Sequence, residues 1–225
     1  MQRCLVIVAL VTLGLAGPLI DGGSRLSAQD LSEKSRLRTA LRALANEISP
    51  FTRDPQPLRQ TAVDASNWTR WLQDATEAWM PASTDDGRPM RVAIERMAQA
   101  MQGAPNDAAR RNLLPLIDDD LEDKVAYCRK HGLSSTRQVT VVTKKGAVAE
   151  VSGLEVLYLE KFLENDPRAM PRQFRGFSSP AVDQLAPGRY VVWAREPAPS
   201  RKDGPRKEGR VSLESPSRPI EVLAP

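Results

Sequence analysis

Apolar residues recur with a helical period through the first part of the chain, and the period then changes. Leu37, Leu41, Leu44 and Ile48 fall on one stripe, spaced four, three and four apart. Such spacing predicts an amphipathic helix. Asp30, with Glu33 three residues later, is read as its capping-box-like start, and Ser49-Pro50 as its end, because proline disfavours helical geometry in the residue before it. Leu58, Ala62, Ala65, Trp68, Leu72, Ala75 and Trp79 make a second stripe that runs to Met80-Pro81. Met90, Ile94, Met97 and Met101 make a third, closed by Gly103 and Pro105. Asn106 is placed to cap a fourth, with Leu114, Ile117, Leu121, Val125 and Cys128 on one face. Pro115 is expected to kink this helix or to start a fresh one. Four stripes joined by short Pro- and Gly-marked loops predict a compact antiparallel helical bundle.

After Gly132 the period becomes strand-like. Arg137-Gln-Val-Thr-Val-Val-Thr143 is β-branched, Lys144-Lys145-Gly146 reads as a hairpin turn, and Ala147 to Val151 resumes the extended pattern. Leu154 to Leu159 forms an apolar-rich segment. Pro187-Gly188 makes a turn into Arg189 to Ala194, whose two faces, Tyr190, Val192, Ala194 and Val191, Trp193, are both apolar. That strand should be covered on both sides. Val211 with Leu213, and Ile220 with Val222, alternate as half-buried strands. About six short strands separated by turns predict a small β-sandwich. The fold class is therefore α+β, a helical bundle followed by a C-terminal β-sandwich.

The sandwich half carries a resemblance. "VTVVTKKGAVAEVSGLEVLYL" at 139–159, "SSPA" at 178–181 and "LAPGRYVVWA" at 185–194 resemble a carboxypeptidase-regulatory-like or PEGA-type β-sandwich. The final motif is matched by Leu185, Pro187, Gly188, Tyr190 and Val192. The stretch between Leu159 and Ser178 and the polar loop at 199–210 depart from the pattern. The resemblance covers about residues 137–225 and implies an accessory module on an exported protein. It brings no catalytic residue, and fold alone does not set function.

Residues 1–28 read as a signal peptide. Arg3 precedes an uncharged apolar run to Ile20, and Leu26-Ser-Ala28 offers a cleavage point. The run is short against the ~20 apolar residues a bilayer span needs, so the chain is expected to be exported to a periplasmic or extracellular space, with a mature start near Gln29. A retained N-terminal anchor is the alternative. Cleavage would remove Arg3, Asp21 and Arg25, lower the net charge from +4 to +3, and leave Cys128 as the single cysteine. The organisation expected is a bundle domain at 29–132, a linker at 133–136 and a sandwich domain at 137–225, the two domains packing independently.

The inventory of chemistry is sparse. His131 is the only histidine, and Cys128 and His131 three residues apart make at most half a metal site. A Ser-His-Asp triad would have to recruit that one imidazole. Asp118-Asp-Asp-Leu-Glu-Asp123 lacks the glycine of a calcium loop. It is read instead as the acidic first turn of a helix after Pro115, with Arg129, Lys130 and His131 in its basic last turn. Trp68, Trp71 and Trp79 invite a sugar-stacking reading, but Trp68 and Trp79 lie on the apolar stripe and are assigned to the core. No phosphate-binding loop and no Gly-x-Ser-x-Gly elbow occurs. Catalytic residues, metals and cofactors are therefore expected to be none.

Charge divides the halves. Residues 137–225 carry fifteen Lys and Arg against eleven Asp and Glu, whereas residues 29–136 carry fifteen against sixteen. Arg201-Lys-Asp-Gly-Pro-Arg-Lys-Glu-Gly-Arg210 concentrates five cations against two acids. Arg201, Lys202, Arg206 and Lys207 are the candidate partner-binding residues, suited to an anionic envelope polymer or an acidic protein. Nucleic acid is not an expected partner, and no membrane span is expected after cleavage. The expected function is non-catalytic binding of a surface, polymer or partner through the sandwich. The residues leave open a small ligand or metal held between the helices, or an enzyme of unrecognised type.

Overall fold

Helix α1, Glu33–Ile48, starts where the Ser32 hydroxyl accepts from the Ser35 backbone N–H, at 3.3 Å. The cap is thus Ser32, two residues beyond the expected Asp30. The computed structural model describes residues 32–79, 87–133, 136–149, 151–175, 179–211 and 219–225. The expected signal peptide at 1–28, the start near Gln29, Asp30, Met80-Pro81 and Leu213 lie outside the described residues. A 3-10 turn, Ser49–Arg53, takes over from α1 around Pro50. Helix α2 is Leu58–Trp79, α3 is Arg88–Gly103 and α4 is Asp107–His131.

Asn106 caps α4 by accepting from Ala109 N–H at 2.9 Å. The helix ends at Gly132, where φ is 84° and its N–H reaches the Cys128 carbonyl at 2.8 Å. It runs unbroken through Pro115. No fresh helix starts there, because packing of Leu114 and Ile117, both fully buried, holds the turn that the proline weakens. The acids 118–123 consequently lie in the middle of α4, not in its first turn. Helix α1 packs on α2 and α3, and α2 packs on α4. The stripes meet in one core in which Leu37, Leu41, Leu44, Ile94, Met97 and Leu121 are wholly buried.

Among the described residues eight strands follow: β1 Arg137–Lys145, β2 Val148–Ala149, β3 Glu155–Glu160, β4 Arg172–Gln173, β5 Ala181–Leu185, β6 Gly188–Arg195, β7 Lys207–Val211 and β8 Ile220–Leu223. In one sheet β1 is the hub, pairing antiparallel with β2 and β5 and parallel with β8. The other sheet is antiparallel throughout, in the order β4-β3-β6-β7. The α+β class holds, with four helices followed by two sheets among the described residues. The hairpin turn at Lys144-Lys145-Gly146 also forms, with Gly146 at φ 59°.

Strand β6 is covered on both faces, as its sequence requires. Tyr190, Val192 and Ala194 turn inward to meet Val141, Val156 and Phe174 between the sheets. Val191 and Trp193 turn the other way, into the core of the helical bundle. The adjacent strand β3 splits likewise, with Val156 and Tyr158 inward and Leu157 and Leu159 toward the helices. The helix-to-strand change falls between His131 and Arg137, where the linker was expected, with residues 134 and 135 outside the described set. The apolar core does not stop at that change; it runs from the bundle onto the back of the β4-β3-β6-β7 sheet.

Candidate functional site

The basic segment forms the connection between β6 and β7, and its backbone is braced. Glu196 N–H donates to the Lys202 carbonyl at 2.9 Å and Gly204 N–H to the Ala194 carbonyl at 2.8 Å. Asp203 pins the loop to the sheet. Its carboxylate accepts from Arg195 Nε at 2.6 Å and from the buried Trp193 Nε1 at 3.1 Å. The Arg195 hydrogen bond is the main reason the Asp203 carboxyl sits below its ordinary pKa.

On this base Arg201, Lys202, Arg206 and Lys207 are all exposed. Arg206 differs from the other three. Its guanidinium lies 4.7 Å from the centroid of the Trp193 ring, a cation–π distance, and it lines a recess of about 260 Å³ with Trp193 and Arg195. Among the described residues Arg201, Lys202 and Lys207 have no ion-pair partner. The fifth cation of the run, Arg210, is excluded from this surface. It reaches Asp123 of α4, with Nε 2.8 Å from Oδ2.

That contact belongs to a polar seam between α4 and the sandwich, which the sequence reading missed. Asp120 and Lys124, one turn apart on α4, are both buried and paired at 2.8 Å. Lys124 Nζ also donates to the Pro187 carbonyl at 2.6 Å, and Arg189 N–H donates to Asp120 Oδ1 at 2.7 Å. Arg189 Nη1 meets Asp119 at 3.0 Å. The "LAPGRY" turn is therefore held from the helix side by a carboxylate and an ammonium. Gly188, at φ 149°, lies so close to Asp120 that a Cβ would collide with the carboxylate. Within the same turn the Tyr190 hydroxyl donates to the Ala186 carbonyl at 2.7 Å. Burial raises the Asp120 carboxyl, opposed by Lys124 and by the Arg189 N–H. Farther along, Arg96 of α3 and the buried Glu160 of β3 pair at 2.8 Å.

The seam left one signal in the sequence. Asp120 and Lys124 are four apart, the spacing of a helical ion pair, and border the Leu121–Val125 stripe. The reading of Asp118 to Asp123 as an acidic first turn passes over that pair.

The remaining candidates separate. Cys128 is buried, and burial pushes its thiol up to about 12. His131 is exposed and stacks on Tyr127 at 4.5 Å between centroids. Among the described residues no three His, Cys, Asp or Glu side chains gather as a metal set would. Trp68 is half-buried against the core. Trp79 is 51% exposed, against its expected place in the core: it is the last residue of α2, where the stripe ends, and meets Trp71 edge to face at 5.6 Å. Arg129 covers the faces of Trp68 and Trp71 at 5.8 and 5.2 Å. Asp118, half-buried beside Trp68, is raised to about 7, chiefly by burial and then by Asp64, Asp119 and Glu122.

No protein-family model, curated protein or solved structure matches this chain. Among the described residues no helix is long and apolar enough to cross a membrane.

Proposed function

We propose that the protein is an exported, non-catalytic binding protein whose sandwich presents a cationic edge to an anionic envelope polymer or an acidic protein. One observation carries this reading: Arg201 and Lys202, in a loop fixed by Asp203 and Gly204, and Lys207, at the start of β7, are exposed and have no ion-pair partner among the described residues. A braced loop loses little backbone entropy when it binds, so its charges are available at lower cost than those of a floppy tail. The resemblance of residues 137–225 to carboxypeptidase-regulatory-like and PEGA-type accessory modules supports the same reading, as does the apolar run at the N-terminus for export.

The test is binding of the mature chain to anionic envelope polymer, and to polyglutamate as a defined polyanion, at low and high salt. Wild type is compared with the quadruple variant Arg201→Ser, Lys202→Ser, Arg206→Ser, Lys207→Ser. Binding should weaken with salt, because exposed charges are screened beyond about 10 Å at 0.1 M ionic strength, and should be lost in the variant. Absence of binding, or binding indifferent to both salt and substitution, overturns the reading.

A further inference from the structure

A second concavity adjoins the recess beside Arg206, with which it shares Asn165, Asp166 and Pro167, where the corner between α3 and α4 faces the chain that follows β3. It has a volume of about 530 Å³, within the range of small-molecule sites, roughly 300–1,000 Å³. Its floor is open because the corner is built from small residues, Ala100, Gly103, Ala104 and Ala109. Its apolar walls are Leu113 and Leu116 of α4, both half-buried against the core, and the buried Phe162 of the 3-10 turn Lys161–Leu163.

The polar groups at the rim define the occupant. Arg168 closes one end, with Nη2 2.8 Å from the Gly103 carbonyl and Nε 3.0 Å from Asp166. That pair is neutral as a unit, so the rim carries no net charge to complement. The other polar groups are the side-chain amides of Asn112 and Asn165. Neither has a hydrogen-bond partner among the described residues, and each can both donate and accept.

We propose that this cleft binds an uncharged amphipathic small molecule. Its apolar body lies against Leu113, Leu116 and Phe162, and a hydroxyl, amide or carbonyl end meets Asn112 and Asn165. Arg168 and Asp166 are paired with each other, so neither is left to neutralise a charged ligand, and a charge brought against the apolar walls would lose its hydration without compensation. The cleft borders the Arg206 recess, but none of Arg201, Lys202, Arg206 and Lys207 lines it, so the quadruple loop variant should leave probe binding intact and the two proposals fail separately.

The experiment titrates phenylnaphthylamine, an uncharged fluorescent probe, into the full mature chain. Saturable enhancement at one site per chain is expected. Two variants fill the cleft: Ala109→Trp, and Asn112→Trp at an exposed helical position that folding tolerates. Each should weaken probe binding by about tenfold, or 1.4 kcal/mol, with the helical circular dichroism retained. Decanol should displace the probe, whereas decanoate and decyltrimethylammonium should compete far more weakly. Absence of saturable binding overturns the proposal, as does binding unchanged in both folded variants. Equal competition by the charged amphiphiles overturns the ligand class. A concentration-dependent dimer abolished by Asn112→Trp would assign the cleft to a second copy of the chain and also overturn it.

Discussion

At Gly188 two constraints act on one residue: a backbone φ of 149° and the nearness of the Asp120 carboxylate to where a Cβ would stand. Gly132 carries the first constraint alone, with φ 84° and open space around it. Gly132→Ala should therefore cost about 1–2 kcal/mol, since φ 84° with ψ 171° is a conformation that glycine alone adopts readily. Gly188→Ala should cost more, about 2–4 kcal/mol, since it must also displace a buried ion pair. Urea unfolding of the two variants checks the order; equal losses would mean that Asp120 yields freely. Asp118 gives a pH signature at the same scale. Its carboxyl is raised from 3.8 to about 7, so the folded state holds this proton more tightly than the unfolded chain does. The stability this confers is present below the unfolded value and is lost as pH rises through the folded one. Each pKa unit corresponds to ~1.4 kcal/mol, but solvent screens a half-exposed carboxyl, leaving about 1–2 kcal/mol overall. Asp118→Asn should be more stable than wild type by that amount at about pH 8 and nearly equal to it at about pH 4. Parallel stability curves for the two proteins across that range would count against it.

At the scale of elements, α4 shows what a hydrophobic pattern carries and what it does not. Leu114, Ile117, Leu121, Val125 and Cys128 are all buried, and their spacing alone put them on one face. The neighbouring face, Asp120, Asp123 and Lys124, is equally buried, yet charged residues on a helix ordinarily signal solvent. Their partners, Pro187, Arg189 and Arg210, stand more than sixty residues away, and no local period encodes such a pairing. Strand β8 was legible as a strand from Ile220 and Val222. Its parallel pairing with β1 was not, because alternation fixes which side chains share a face but not strand direction. The seam predicts a non-additive pair of substitutions. Lys124→Met strands the Asp120 carboxylate and the Pro187 carbonyl in the interior, and should cost about 3 kcal/mol or more. Adding Asp120→Asn removes the buried charge while keeping an acceptor for the Arg189 N–H, so the double variant should regain about 1 kcal/mol or more. A double-mutant cycle by denaturant unfolding decides it; a double variant less stable than Lys124→Met would contradict the ion-pair account.

For the whole molecule, the question is whether the sandwich stands without the bundle. Its sequence reads as a self-contained β module, and the change of period at Gly132 marks a plausible end of one packing unit. The structure gives the β4-β3-β6-β7 sheet a second apolar face, however. Leu157, Leu159, Val191 and Trp193 are each at most 4% exposed and belong to the core they share with α1 to α4. Only the double-sided apolar pattern of β6 announced this in the sequence, without saying whether the second cover was a sheet or helices. Exposing a large apolar side chain forfeits about 1.5–3 kcal/mol, so baring four forfeits about 6–12 kcal/mol, comparable to the roughly 5–15 kcal/mol that holds a whole domain together. The bundle would also take away Asp120, Asp123 and Lys124, leaving the Gly188 turn and Arg210 without their anchors. A fragment of residues 133–225 is therefore expected to lack a cooperative thermal transition, to bind hydrophobic dyes and to aggregate, while the full mature chain unfolds in a single step. Circular dichroism and calorimetry on both proteins separate the alternatives. A cooperative, sheet-rich transition in the fragment would show that the inter-sheet core of Val141, Val156, Tyr190 and Val192 suffices, and that the bundle is a lodger on the sandwich and not its support.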